Sequence, residues 1–451
     1  MQAAWRAWQT HDNPDLPAVS SPPPPLAGLA ATWIKDPPRS RERFTLARDE
    51  AERIDPSSVP RLVEWLDPAG PESFRLRGGL PPTGWSASGG KGPLRVEYSL
   101  DEKLTEEVFE IMRRGRVERG IAIVLDPRSG RLLAYVSTDP VALPPDRAYP
   151  AASIVKILTA ATLLQEAPRE ADAPCVYRGN KYRLHYRRLA RPASGRETSL
   201  KRALANSNNQ CFSQWAVHVL GEEKLRAAFD RFGWLAPPAP GHDAGQVVPI
   251  STNLELGRLG SGLAGVQVNP LHIAVLASIL TEGVSIEPWW IDRVVDSRGR
   301  SVELPRRADE RRVLTQEIAD QLRSMLVATT TAGTAKSAFR TRRGRPLIPG
   351  IDVAGKTGNL TGGDPFGRYE WFLGLAPAEK PTIAVVVLQV QNNLWWSRSS
   401  ELAAKVLHTV FCAAKRCQAA LADRWTGDLD EWTTPLLISE LERPPLLSRA
   451  D

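Results

Sequence analysis

The sequence predicts an α+β domain: one antiparallel sheet covered by helices, with a helical subdomain inserted between its strands. Two apolar runs, Gly120 to Leu125 and Leu132 to Ser137, flank the turn Asp126-Pro127-Arg128-Ser129-Gly130 and read as a β-hairpin. Strand-like runs return only much later, at Asp352 to Leu360, Tyr369 to Ala376 and Thr382 to Gln391. The long stretch between the two groups carries mainly helical patterns. One sheet built from distant segments accounts for all three observations.

Taken in order, residues 1 to 94 read as a linker with a small appendage. Ser20-Ser21-Pro22-Pro23-Pro24-Pro25 favours an extended polyproline stretch, and Pro60 to Leu66 has room for one short helix. The main domain runs from 95 to 415. Leu104 to Arg114 is amphipathic, with Leu104, Val108, Phe109, Ile111 and Met112 apolar. Ala152 to Gln165 is apolar on nearly every face, so it is expected to be buried. Further helices are expected at Leu200 to Asn206, Phe212 to Leu220, Glu222 to Phe232, Pro270 to Glu282 and Thr315 to Thr329. Pro377-Ala378-Glu379-Lys380-Pro381 joins the last two strands as a hairpin, and Ser399 to Ala414 closes the domain as a helix. Residues 416 to 451 read as an acidic tail.

With 451 residues, 42% hydrophobic and 24% charged, the chain has the composition of a soluble globular protein. Its net charge of +7 is concentrated in arginine runs such as Tyr186-Arg187-Arg188 and Arg340 to Arg345. Such runs are either solvated surface or contacts for a polyanionic neighbour. Met1 to Ser20 contains Arg6, Asp12 and Asp15, and has neither a signal-peptide core nor a membrane anchor. The four cysteines (175, 211, 412 and 417) show no metal-ligand spacing. On one helix Cys412 and Cys417 would sit about 7.5 Å apart in rise and point in opposed directions, so buried thiols are the expected state. The six histidines are scattered. The reading therefore includes no metal and no cofactor.

Three short elements carry the chemistry: Ser153-Ile154-Val155-Lys156, Ser207-Asn208-Asn209 and Lys356-Thr357-Gly358. Lys156 lies on an otherwise apolar helix, where an ammonium is costly to desolvate. Either it occupies the helix's only wet stripe, or burial lowers its pKa and leaves a neutral amine able to act as a base. Ser153 stands one turn before it, on the same face and near free backbone N–H groups. Asn206 to Asn209 reads as a loop between helices, for which capping is the ordinary role. As part of a site, Ser207 could pass a proton and Asn209 could bind a substrate amide. Lys356 and Thr357, on a glycine-flanked strand with Gly358, suit a carboxylate. Together these groups supply a nucleophile, a base, a proton relay and an anion clamp, the set that acyl transfer through a serine ester requires.

The three motifs and their intervals resemble those of the penicillin-binding protein transpeptidase family, to which serine β-lactamases are related. Tyr98-Ser99-Leu100-Asp101 and Val268-Asn269-Pro270-Leu271 add to the resemblance, which covers about residues 95 to 415. It implies that Ser153 attacks the penultimate D-alanine carbonyl of a peptidoglycan stem peptide, Lys156 takes its proton and Ser207 relays a proton to the departing D-alanine. The N–H groups of Ser153 and Asn359 would form the oxyanion hole. It also implies stem peptides as substrates, β-lactams as inhibitors, cell-wall synthesis proteins as further partners, and no nucleic acid. The implied location is the periplasm or cell envelope, which demands export that residues 1 to 20 do not encode; a start codon placed too far downstream would explain this. One departure stands out. The family usually has Thr or Ser after the Lys-Thr-Gly triplet and this chain has Asn359, which removes a hydroxyl contact to a substrate carboxylate.

Within that family a D,D-carboxypeptidase or a β-lactamase is the alternative. A β-lactamase needs an acid to activate water, and Asp243 in Gly241-His242-Asp243 is a poor match. A non-catalytic module that keeps the motifs is another alternative. Gly350 to Thr357 also satisfies the P-loop pattern, but the proline-broken run before it and Asn359 to Pro365 after it provide neither strand nor helix.

Overall fold

The computed structural model describes residues 95–139, 142–239, 242–295, 301–302, 309–391 and 396–412. The expected N-terminal linker, its short helix and the acidic tail lie outside these residues.

In chain order the elements that matter are α1 (Glu102–Arg114), β1 (Gly120–Leu125), β2 (Leu132–Ser137), α2 (Val155–Glu166), β3 (Cys175–Tyr177), β4 (Arg196–Thr198), α3 (Leu200–Ala205) and α4 (Asn209–Trp215). They are followed by α5 (Gly221–Arg231), α6 (Asn253–Ser261), α7 (Pro270–Glu282), α8 (Gln316–Thr331), β5 (Ala354–Gly362), β6 (Gly367–Ala376), β7 (Ile383–Gln391) and α9 (Ser399–Phe411).

The central sheet has five strands in the order β5-β6-β7-β1-β2, all neighbours antiparallel. Its two faces bury separate apolar clusters. Along β7, Ile383, Val385 and Val387 enter one cluster, while Ala384, Val386, Leu388 and Val390 enter the other. A strand covered on both sides is apolar along most of its length, so Ile383 to Leu388 reads as an unbroken run rather than an alternation. Leu104, Val108 and Ile111 of α1 join Leu402, Val406 and Leu407 of α9 on one face. Ile157 and Leu158 of α2, with Ile273 and Leu276 of α7, fill the other. Each such side chain contributes about 1.5–3 kcal/mol through burial.

Helix α7 matches its expected limits because both ends carry strong signals. Asn269 Oδ1 accepts from Leu271 N at 2.8 Å, Pro270 occupies the first turn, and Gly283 stops the helix at φ +71°. The other helices shift by a few residues. Helix α4 starts at Asn209 because Asn208 Oδ1 caps it, accepting from the N–H groups of Gln210 and Cys211. Helix α6 was not expected from the sequence, although Thr252 and Glu255 form a reciprocal capping box at its start.

The cysteine expectation needs correction. Cys175 of β3 and Cys211 of α4 form a disulfide across 36 residues of sequence. The pairing was hidden because β3 meets α4 only in three dimensions. Cys412 is a buried thiol as expected, and Cys417 lies outside the described residues.

Candidate active site

The site forms where edge strand β5 meets the turn that leads into α2. Ala152–Ile154 makes one 3₁₀ turn before α2, and Ala152 adopts φ +48°, in the left-handed region that costs an L-residue about 1–2 kcal/mol. Neighbours hold the turn. Trp371 Nε1 of β6 donates to Pro150 O at 2.9 Å. Gly358 lets β5 lie close, since a Cβ there would meet Ala152 Cβ and Ile154 Cγ1 at 3.3 Å. Gly262, which ends α6 at φ +68°, approaches more closely still: its Cβ would fall 1.9 Å from Ala152 O. Backbone meets backbone there.

Lys156 is fully buried, which removes the wet-stripe alternative. Its Nζ lies 2.7 Å from Ser153 Oγ and donates to Asn209 Oδ1 at 2.8 Å and to the Ser261 carbonyl. Burial, and then the nearby charge of Lys356, push its pKa well below the ordinary lysine value. A neutral amine fits this setting: two N–H groups serve Asn209 and Ser261, and the lone pair is left to accept the Ser153 hydroxyl proton.

Ser207 sits in the short connection between α3 and α4 at φ +53°. Lys356 Nζ donates to Ser207 Oγ at 3.2 Å and to Thr357 O at 2.7 Å. Lys356 is also fully buried, and burial lowers its pKa to about 7. The structure thus brings Ser153, Lys156, Ser207, Asn209 and Lys356 into one cluster. Among the described residues, no carboxylate hydrogen-bonds to Ser153, Lys156, Ser207 or Lys356.

Three expected residues have partners that their sequence patterns did not reveal. Asn209, expected to face a substrate amide, gives its oxygen to Lys156 and donates from Nδ2 to Tyr182 O at 2.8 Å. Thr357 Oγ1 lies 2.6 Å from Thr334 Oγ1, and Thr334 N donates to Ala205 O at the end of α3. Exposed Asn359 turns towards β6, where its Oδ1 accepts from Arg368 Nε at 2.9 Å.

Sequence reasoning missed Ser261, Gly262 and Thr334. The Thr252–Glu255 capping box and Gly262, ten residues after Thr252, were enough to place α6, and with it Ser261. Thr334 carried no comparable signal. The P-loop pattern is absorbed by the sheet: Gly355, Lys356 and Thr357 belong to β5, which continues as strand to Gly362. Asp243 packs elsewhere, donating from its N–H to Asp146 O at 2.8 Å.

Known proteins place this architecture. The family model for the penicillin binding protein transpeptidase domain matches residues 120–411. Peptidoglycan D,D-transpeptidase PbpA of Mycobacterium tuberculosis is 25% identical over 341 residues, covering 66% of this chain and 67% of that protein. Stage V sporulation protein D of Bacillus subtilis is 26% identical over 327 residues, covering 65% of this chain and 48% of that protein. The crystal structure of PBPA from M. tuberculosis aligns with a TM-score of 0.58 at 22% identity, over 69% of this chain and 81% of that one. The fold, the matched domain and the clustered motifs agree, and this chain belongs to the penicillin binding protein transpeptidase domain family.

Proposed function

We propose that the protein is a peptidoglycan D,D-transpeptidase that cross-links stem peptides through an ester on Ser153. The observation that carries this reading is the contact of Ser153 Oγ with the buried Lys156 amine at 2.7 Å. Attack of Ser153 Oγ on the penultimate D-alanine carbonyl forms the new C–O bond while its proton passes to Lys156 Nζ. The N–H groups of Ser153 and Asn359 receive the developing oxyanion. As the tetrahedral centre collapses, the C–N bond breaks and Ser207 hands a proton to the leaving D-alanine amine. Lys356 lies at hydrogen-bond distance to resupply it. An amine from a second stem peptide then attacks the ester, regenerates Ser153 and completes the cross-link; water in its place would give carboxypeptidase activity.

Lys356 and Thr357 serve the substrate carboxylate, with Gly358 allowing the close approach. Asn359 keeps the backbone N–H of the family but not the hydroxyl, and its side chain is engaged with Arg368. In the resting state Asn209 positions Lys156. The reaction belongs to the periplasmic side of the cell envelope. The Cys175–Cys211 disulfide supports that location, since such bonds persist in oxidising compartments. Among the described residues, no helix is long and apolar enough to cross a membrane. β-Lactams are the expected inhibitors, as for the M. tuberculosis relative seen as a penicillin G acyl-enzyme complex.

The test is intact-mass spectrometry after incubation with benzylpenicillin. A persistent single adduct on the wild type and none on Ser153→Ala is expected. An unmodified wild type with the drug left intact would overturn the reading, whereas rapid consumption of the drug would assign a β-lactamase.

A further inference from the structure

A basic hairpin is fastened to the catalytic loop, and the mechanism above does not use it. Strands β3 and β4 pair antiparallel, and the segment around and between them, residues 178–202, holds nine Lys and Arg against one acidic residue, Glu197. Its backbone is tied to the start of α4. Asn209 N and Nδ2 donate to the carbonyls of Lys181 and Tyr182 at 3.0 and 2.8 Å. Gln210 Nε2 donates to the Arg178 and Asn180 carbonyls at 2.9 and 2.7 Å, and the Cys175–Cys211 disulfide adds a covalent link. Lys181 Nζ reaches Asn206 Oδ1 at 3.0 Å, next to Ser207.

Several side chains beyond these anchors face solvent. Arg183, Arg187 and Arg196 are exposed, and among the described residues none of the three has an acidic partner. Tyr186 is 71% exposed and Tyr182 48%, so the cations are interleaved with exposed aromatic side chains, and Lys181 Nζ lies 5.2 Å from the Tyr182 ring centroid. Charges laid out in this way, without neutralisation within the fold, attract an anion rather than stabilise the domain. Rigid attachment to Asn209 keeps them beside the reacting groups.

We propose that this hairpin binds the carboxylates of the peptidoglycan strand that supplies the acceptor amine. The inference rests on the transpeptidase reading and deepens it by naming how the second substrate is held. A peptide-bearing glycan strand offers both halves of the match: carboxylates for the guanidinium groups and apolar sugar faces for the tyrosines. The hairpin, rather than Ser153 and its neighbours, selects the acceptor.

The experiment uses the full chain and isolated peptidoglycan sacculi, with a second batch whose carboxylates have been converted to amides. Cosedimentation is measured at increasing salt for the wild type, for Arg183→Ala/Arg187→Ala/Arg196→Ala, and for the matching triple Lys variant. The Ala variant should bind sacculi about ten-fold more weakly, the sum of three modest solvent-exposed ion pairs, and with a shallower salt dependence. The Lys variant should retain most binding, and amidated sacculi should bind the wild type as weakly as the Ala variant binds native sacculi. Benzylpenicillin acylation at Ser153 should be the same in all three proteins, so a failure of the transpeptidase reading appears separately, as absent acylation. Unchanged sacculus binding by the Ala variant would overturn the proposal. So would equal binding of native and amidated sacculi, or displacement by duplex DNA at lower concentration than by soluble peptidoglycan fragments.

Discussion

Lys356 loses its proton near pH 7 because it is buried without a carboxylate partner, so the residue expected to clamp a substrate carboxylate titrates within the assay range. Below that value it is an ammonium and attracts the carboxylate of a β-lactam; above it the attraction is lost. The second-order rate of acylation, which reports the free enzyme, should therefore fall on the alkaline side with an apparent pKa near 7. Lys356→Arg keeps the charge and should move that limb upward; an unmoved limb would assign it to another group. The linked stability follows the same sign. The unfolded lysine binds its proton up to about 10.5 and the folded one only up to about 7, so folding stability rises with pH between those values. Gly262 illustrates a steric constraint at the same scale. Gly262→Ala would drive a Cβ into Ala152 O at a positive φ, and should cost more than about 2 kcal/mol while slowing acylation by displacing the Ser261 carbonyl from Lys156. Urea denaturation and the penicillin acylation rate check the two effects together.

The disulfide anchors the first turn of α4, the element that carries Asn209 into contact with Lys156. Cys211→Ser should lower stability by about 2–4 kcal/mol and slow acylation, because β3 no longer restrains α4. Denaturation in the presence and absence of reductant would show the wild type converging on the variant once reduced. This link also marks where the sequence stopped being informative. Helix α7 was legible because Asn269, Pro270 and Gly283 are local signals, and Lys156 stood out because a charge among apolar neighbours is anomalous. Neither Cys175–Cys211 nor Thr334–Thr357 has any local signature, as each pair is made by elements that meet only after packing. Asn208 as a cap was readable, but that Asn209 spends its amide on Lys156 and Tyr182 was not. Sequence identifies which groups are present; their partners depend on tertiary approach.

Among the described residues, the central sheet is shared by two apolar clusters, with the proposed catalytic groups gathered where edge strand β5 meets the start of α2 and the helices divided between its faces. Because β6, β7 and β1 contribute to both clusters, neither face should unfold alone. Leu388→Ala on the site face and Leu407→Ala on the opposite face are each expected to cost about 2–5 kcal/mol. Each should shift one common transition, with near- and far-ultraviolet circular dichroism coinciding; two separated transitions would show that the faces are independent.

The pairing of β1 with β7 sets when in folding the sheet can close. Ala122 lies opposite Val387, and Val124 opposite Val385, so the middle of the sheet joins strands synthesised at opposite ends of the domain. Until the last strand is in place, the β1–β2 hairpin has an apolar edge with open hydrogen-bonding groups, the kind of surface that captures other chains. Helix α2, with Ser153 in the turn before it, is complete early, but Lys356 and the edge of β5 arrive only with the closing segment. Refolding is therefore dominated by long-range contacts and is intrinsically slow. A chain interrupted before Ile383 lacks β7, the strand that joins β1 to β6, and has no sheet on which to assemble a working centre.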